Sequence, residues 1–163
     1  MAQLIPQELS FADTAPVRAE GRALVEGTPA EVWAVLLDYE RWPEWFAGVK
    51  QCRCTSDPAT GVGSTREVVL TGGAMVQERF IGWEEGVLWS FTATGMKPAL
   101  FRSLVERVTI EDLGPRRTQV TYRMALDPSP ALKLLAPALK PMLNRNLTKA
   151  MASLAHQVRG PGG

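Results

Sequence analysis

The feature that most constrains this chain is the apolar periodicity of its last long segment, Ser129 to Val158. From Leu132 onward, apolar residues return at Leu135, Leu139, Leu143, Leu147, Ala150, Met151, Leu154 and Val158, the three-and-four spacing of a helix with one greasy face. Such a face needs a partner surface. Upstream, from Val17 to Leu126, the chain reads as short strands with one helical insertion, so the expected partner is a curved antiparallel sheet closing around the helix. Pro137 and Pro141 each remove an intrahelical donor. The segment is therefore expected to split into a short piece ending near Ala136 and a main helix from about Ala138.

The alternation Val17, Ala19, Gly21, Ala23, Val25 against Arg18, Glu20 and Arg22 predicts a half-buried first strand. Thr28-Pro29-Ala30-Glu31 follows, in which Thr28 can cap a helix, Pro29 takes its first position and Glu31 completes a capping box. That helix should run to about Asp38 and bury Val32, Trp33 and Leu36. Pro43 can open a second, one-turn helix holding Trp45 and Phe46, ended by Gly48. Six further strands are expected over Val49–Ser56, Ser64–Thr71, Ala74–Trp83, Val87–Thr94, Phe101–Glu111 and Thr118–Leu126. Gly72-Gly73 marks a hairpin, and Gly95–Leu100 reads as a flexible link. Ser129 should cap the terminal helical segment, with Pro130 at its first position. The organisation is an N-terminal arm over residues 1–16, a single domain over 17–159 and a flexible tail over 160–163.

Composition excludes more than it assigns. The net charge is +1 and the 18 basic residues form no run, unlike a nucleic-acid surface. No apolar stretch reaches the roughly 18–20 residues of a membrane span, and Met1 to Ser10 lacks the pattern of a signal peptide. Cys52 and Cys54 stand one residue apart in an apparent strand, where their side chains share a side without facing each other. Reduced thiols and a cytoplasmic location are the simple expectation. Cys52-x-Cys54 has no second pair or histidine cluster to complete a metal site, so neither metal nor cofactor is expected. His156, the single histidine, falls opposite the apolar stripe, which leaves no base for a serine or cysteine nucleophile.

The most informative polar pair is Arg66 and Glu78. Arg66 shares a strand face with Val68 and Leu70, and Glu78 shares one with Val76 and Phe80. A three-residue loop, Thr71 to Gly73, sets Val68 opposite Val76 and Arg66 opposite Glu78, giving a cross-strand ion pair on an inward wall. Such a pair either organises the sheet or anchors a ligand oxygen. Trp89 and Phe91 on one strand, and Tyr122 and Met124 on another, can line a pocket beside it, with the Tyr122 hydroxyl as a hydrogen-bonding group. Trp45, Phe46 and Met96 are candidate gate residues. Asn146, near the edge of the greasy face, is the helix's candidate polar contribution.

Several of these stretches also carry a family likeness. Gly27-Thr28-Pro29-Ala30-Glu31-Val32-Trp33 with Asp38, Trp42-Pro43-Glu44-Trp45, Gly61-Val62-Gly63-Ser64-Thr65-Arg66, Gly73 with Glu78, and Thr118-Gln119-Val120-Thr121 together resemble the START-like superfamily, and within it the polyketide cyclase/dehydrase and lipid-transport family. The resemblance covers about Val17 to Val158. It implies an α+β helix-grip fold: a seven-stranded curved antiparallel sheet wrapped around a long C-terminal helix, with two short helices between the first two strands. It also implies a deep apolar cavity between sheet and helix, but supplies no family-wide catalytic motif.

Three functions follow as expectations. The first is binding or transport of a hydrophobic small molecule such as a lipid, polyketide or isoprenoid, by a monomer or homodimer. The second is a cyclase or dehydratase in which Glu78 or Tyr122 moves a proton and Arg66 steadies an enolate. Tight pairing with Arg66 should lower the Glu78 pKa and weaken that role. The third is a protein-interaction or co-chaperone module.

Overall fold

A computed structural model describes residues 1–160 of the chain. Of the expected tail, residues 161–163 lie outside the described residues. The elements in order are β1 (Ala2–Gln3), α1 (Phe11–Thr14), β2 (Val17–Val25), α2 (Pro29–Leu37), a 3-10 turn (Tyr39–Arg41) and α3 (Trp42–Trp45). Then come β3 (Val49–Cys54), β4 (Thr65–Leu70), β5 (Met75–Glu84), β6 (Leu88–Lys97), β7 (Phe101–Asp112), β8 (Thr118–Pro128), α4 (Pro130–Lys133) and α5 (Ala136–Arg159).

Seven antiparallel strands form one curled sheet in the order β2-β8-β7-β6-β5-β4-β3, the helix-grip arrangement expected from the sequence. The Thr28 capping box forms: Thr28 Oγ1 accepts from the Glu31 N–H at 3.3 Å, and the Thr28 N–H donates to Glu31 Oε2 at 2.7 Å. Gly72 and Gly73 both take positive φ in the β4–β5 turn, a conformation glycine adopts without steric cost. The turn delivers the expected register, Val68 opposite Val76 and Arg66 opposite Glu78.

Helix α5 packs against β2 with no side chain between the two backbones at Gly21. A Cβ on Gly21 would lie 2.4 Å from the Leu147 carbonyl carbon, so the hydrogen there lets the two backbones touch. Beside this contact the Glu20 N–H donates to Asn144 Oδ1 at 2.8 Å.

Three local expectations need correction. The break in the terminal segment falls at Leu134–Leu135, because Pro137 lies in the first turn of α5, where its missing N–H has no intrahelical partner to lose. Pro141 is absorbed inside the helix. Ser129 holds the cap position of α4 through its backbone only: its carbonyl accepts from Leu132 and Lys133, and its side chain makes no capping bond. The first half of the supposed link after the fifth strand is strand, with β6 continuing through Gly95 and Met96 to Lys97.

That continuation pairs with β5 on one side and with the N-terminus on the other. β6 and β7 pair only from Leu88 to Thr92 on β6, and residues 2–5 enter where the two strands part. Ala2 pairs with Met96 and Gln3 with Gly95; the Leu4 N–H donates to the Thr94 carbonyl and the Ile5 N–H to the Arg102 carbonyl. Leu4 is buried there. The start of the weakly patterned first 16 residues is thus laid along the sheet, and Asp13, later in the same stretch, accepts from Arg107 at 2.8 Å through both carboxylate oxygens.

Candidate functional site

The core divides into two clusters. The larger holds Trp33, Leu36, Trp42, Phe80, Trp89, Val120 and Leu154; the smaller holds Leu4, Val17, Val76, Met96, Leu104 and Leu126. Leu70, Met124 and Leu143 pack against both. Between the clusters lies a cavity of about 190 Å³. For scale, an apolar engineered cavity of roughly 150 Å³ accepts benzene and stays dry, while a water takes about 30 Å³.

Most of the cavity wall is apolar: Val49, Val68, Val76, Leu104 and Leu143 are among its members, with Phe46, Met96 and Met124. Four polar side chains interrupt it, namely Arg66, Glu78, Glu106 and Tyr122. Arg66 is 1% exposed and its Nε donates to Glu78 Oε2 at 2.5 Å. Its guanidinium carbon lies 4.2 Å from the Trp42 ring centroid, 4.6 Å from those of Trp89 and Phe91, and within 5.6 Å of Tyr39 and Phe80. An aromatic cage of this kind supplies cation–π attraction that offsets part of the lost hydration. Arg66 Nη1 nevertheless has no hydrogen-bond partner.

On the opposite side of the sheet path, β7 and β8 bring Glu106 next to Tyr122, whose hydroxyl bonds Glu106 Oε2. One guanidinium thus faces two buried carboxyl groups, and only one negative charge can be balanced. Burial, reinforced by the charge of Glu78, pushes the Glu106 carboxyl up to about 8, against the pull of the Tyr122 bond and of Arg66. Glu106 is therefore a neutral acid at neutral pH. Burial also raises Glu78, its strongest influence, with Arg66 opposing. The lowering expected from pairing alone is overturned, because loss of water acts on Glu78 more strongly than the guanidinium does. Burial lifts the Tyr122 hydroxyl well above its usual range and the Cys52 thiol up to about 12. Both cysteines are free thiols.

This arrangement predicts a pH dependence. The unfolded chain releases the Glu106 proton near 4.5, whereas the folded chain keeps it to about 8. Between those values the native state binds more protons, so stability falls as pH rises through that window and levels off above it. Urea denaturation across the window should show this decline in the native protein and a much shallower one in Glu106→Gln, which stays neutral throughout. Parallel slopes for the two would remove Glu106 as the cause.

Of the residues singled out from sequence, Arg66, Glu78, Tyr122, Met124, Phe46 and Met96 border the cavity. Met96 does so from within β6 and is 1% exposed; it is a wall residue, not a gate in a loop. Trp89 and Phe91 are buried behind the guanidinium and do not border the cavity, since their rings fill the cage instead. Trp45 is likewise buried away from it, tilted against Trp42 with a centroid distance of 4.6 Å. Asn146 is exposed, because Leu143, Leu147 and Ala150 take the inward line of α5 and leave it on the solvent side. The amide that reaches the sheet is that of Asn144. Glu106 was not singled out. Its signal was present: it alternates with Leu104, Val108 and Ile110 along one strand face.

A family model described as "Polyketide cyclase / dehydrase and lipid transport" matches residues 16–159. The chain belongs to this family. Among its relatives are uncharacterized proteins of Mycobacterium tuberculosis and Mycobacterium bovis, each 28% identical over 152 residues, covering 90% of this chain and 87% of theirs. Among solved structures it is similar to a START superfamily protein from Mycobacterium smegmatis, with TM-score 0.75 at 14% identity over 87% of this chain and 97% of that one. It is also similar to the Zhui aromatase/cyclase from Streptomyces sp. R1128, with TM-score 0.74 at 12% identity over 90% and 98% of the two chains. At such identities these structures establish the shared fold of the family member described here. Family and fold point to hydrophobic-ligand binding or cyclase-type chemistry.

Proposed function

We propose that this family member binds one small, largely apolar molecule in the cavity, with an uncharged oxygen of the guest accepting a hydrogen bond from Arg66. The observation that carries this reading is Arg66 Nη1, a buried charged donor without a partner on the wall of an apolar 190 Å³ space. A buried donor left unmade is costly, and a carbonyl, quinone or hydroxyl oxygen satisfies it. An anionic guest fits less well, because the one positive charge already balances Glu78 and a second buried anion would have no cation to pair with. Burial of the guest supplies about 25 cal/mol per Å² of apolar area. Organic extraction of the purified protein followed by mass spectrometry should recover an apolar compound in stoichiometric amount. Leu143→Trp, which fills the cavity from the half-buried rim, should abolish both this recovery and the uptake of a naphthol probe. An empty extract together with equal probe uptake by both proteins would refute the proposal.

One observation favours a catalytic variant of the same site. A carboxyl that holds its proton at neutral pH and touches a cavity-wall hydroxyl is equipped as a general acid, which assigns the proton to Glu106 and Tyr122 in place of Glu78. A cyclisation or dehydration would then use Arg66 to stabilise developing enolate charge. On any recovered compound that turns over, Glu106→Gln should lower kcat while leaving binding intact.

A further inference from the structure

We propose that the α4–α5 junction is a docking surface for an anionic lipid membrane, placed at the rim of the cavity. From Ser129 to Arg159 the chain carries Lys133, Lys140, Arg145, Lys149 and Arg159 without a single Asp or Glu, leaving 13 basic against 17 acidic residues in the rest of the chain. The near-neutral total therefore hides a strong asymmetry. Lys133, Lys140, Arg145 and Lys149 are exposed, and none has an ion-pair partner among the described residues.

The same stretch exposes large apolar side chains. Leu134 is 89% exposed, the most of any large hydrophobic residue among those described, and Leu135 and Met142 are 55% and 50% exposed. Leu135 and Met142 stand seven residues apart, two helical turns, and so share a side of the helix. Exposed leucines interspersed with unpaired cations are the composition of an interfacial segment, whose apolar groups enter the headgroup region while the cations meet anionic lipid. No described helix is long and apolar enough to cross a membrane, which fits a segment lying on the surface.

Location connects this surface to the cavity. The Ser129 N–H donates to the Leu100 carbonyl at 3.0 Å at the start of the segment. Leu143 follows it, and Leu100, Phe101 and Leu143 are half-buried residues of the cavity wall. A membrane against Leu134 and Leu135 meets the protein beside these half-buried residues of the cavity wall. The docking itself does not depend on what the cavity holds.

Co-sedimentation with extruded vesicles tests this directly. The full chain should pellet with phosphatidylcholine vesicles containing about a third phosphatidylglycerol, and far less with pure phosphatidylcholine. Added salt should weaken the interaction, since exposed charges are screened beyond about 8 Å at physiological ionic strength. Leu134→Ser/Leu135→Ser should reduce the partition coefficient roughly tenfold or more, and Lys133→Gln/Lys140→Gln should reduce it on anionic vesicles alone. All four residues are exposed, so unchanged Tm values will show that the variants remain folded. The proposal fails if the native protein does not pellet, or if it binds neutral and anionic vesicles equally. It also fails if the leucine variant binds like the native protein, or if gel filtration shows a dimer that this variant dissociates, since a second copy would then be the occupant.

Discussion

Arg66→Met should destabilise the protein by about 3–5 kcal/mol, the range for stripping one partner from a buried ion pair. Arg66 and Glu78 are 1% and 5% exposed, so water cannot replace what the substitution removes. Glu78 would be left as a bare carboxylate or be forced to take a proton, and five aromatic rings would lose the cation they surround. Arg66→Met/Glu78→Leu removes both charges and should recover most of the loss, because replacing a whole buried pair with apolar groups is often neutral or favourable. Urea midpoints for the native protein, both single variants and the double variant form a cycle whose coupling energy measures the pair. Additive losses would mean that the two residues act independently. The double variant also separates stability from binding: restored stability without ligand recovery assigns Arg66 to the guest as well as to the sheet.

Gly21→Val should be the other severe change. The new Cβ would lie 2.4 Å and 2.5 Å from the Leu147 carbonyl carbon and oxygen and 2.8 Å from the Thr148 nitrogen. These are backbone atoms in the middle of α5 and cannot rotate away, so the helix must lift off β2. The expected loss exceeds the usual 1–3 kcal/mol of core overpacking, and Gly21→Ala should already show much of it. Lifting the helix also strains the nearby bond from the Glu20 N–H to Asn144. A denaturant midpoint for Gly21→Ala within error of the native value would contradict this close approach.

The fold was legible in the chain because its signals are local and mutually consistent. The Thr28 capping box, the Gly72-Gly73 turn and the alternation around Arg66 each depend on residues a few positions apart, and a three-residue loop was enough to derive the Arg66–Glu78 register. The cage around Arg66 was not legible. Tyr39, Trp42, Phe80, Trp89 and Phe91 come from four separate elements, and their convergence follows from how the short helices pack on the curved sheet. Trp89 and Phe91 consequently looked like pocket lining when they are packing for a cation. Glu106 was readable from its strand face but was passed over for a charge with an obvious partner. Periodicity also misjudged the start of the terminal helix. Leu135 continues the apolar spacing as regularly as Leu147, yet one is 55% and the other 1% exposed, because spacing marks a face without saying where the opposing sheet ends. Met96 was misplaced for a related reason: its strand continues between β5 and a segment more than ninety positions earlier that pairs with it.

The insertion of residues 2–5 between β6 and β7 leaves that wall with a removable stave. Without those residues the Thr94 and Arg102 carbonyls lose their donors, and a slit opens beside Met96, Phe101 and Leu104, all of which border the hollow. The opening strip of the polypeptide is therefore part of the container, and displacing it would uncork the interior through the sheet.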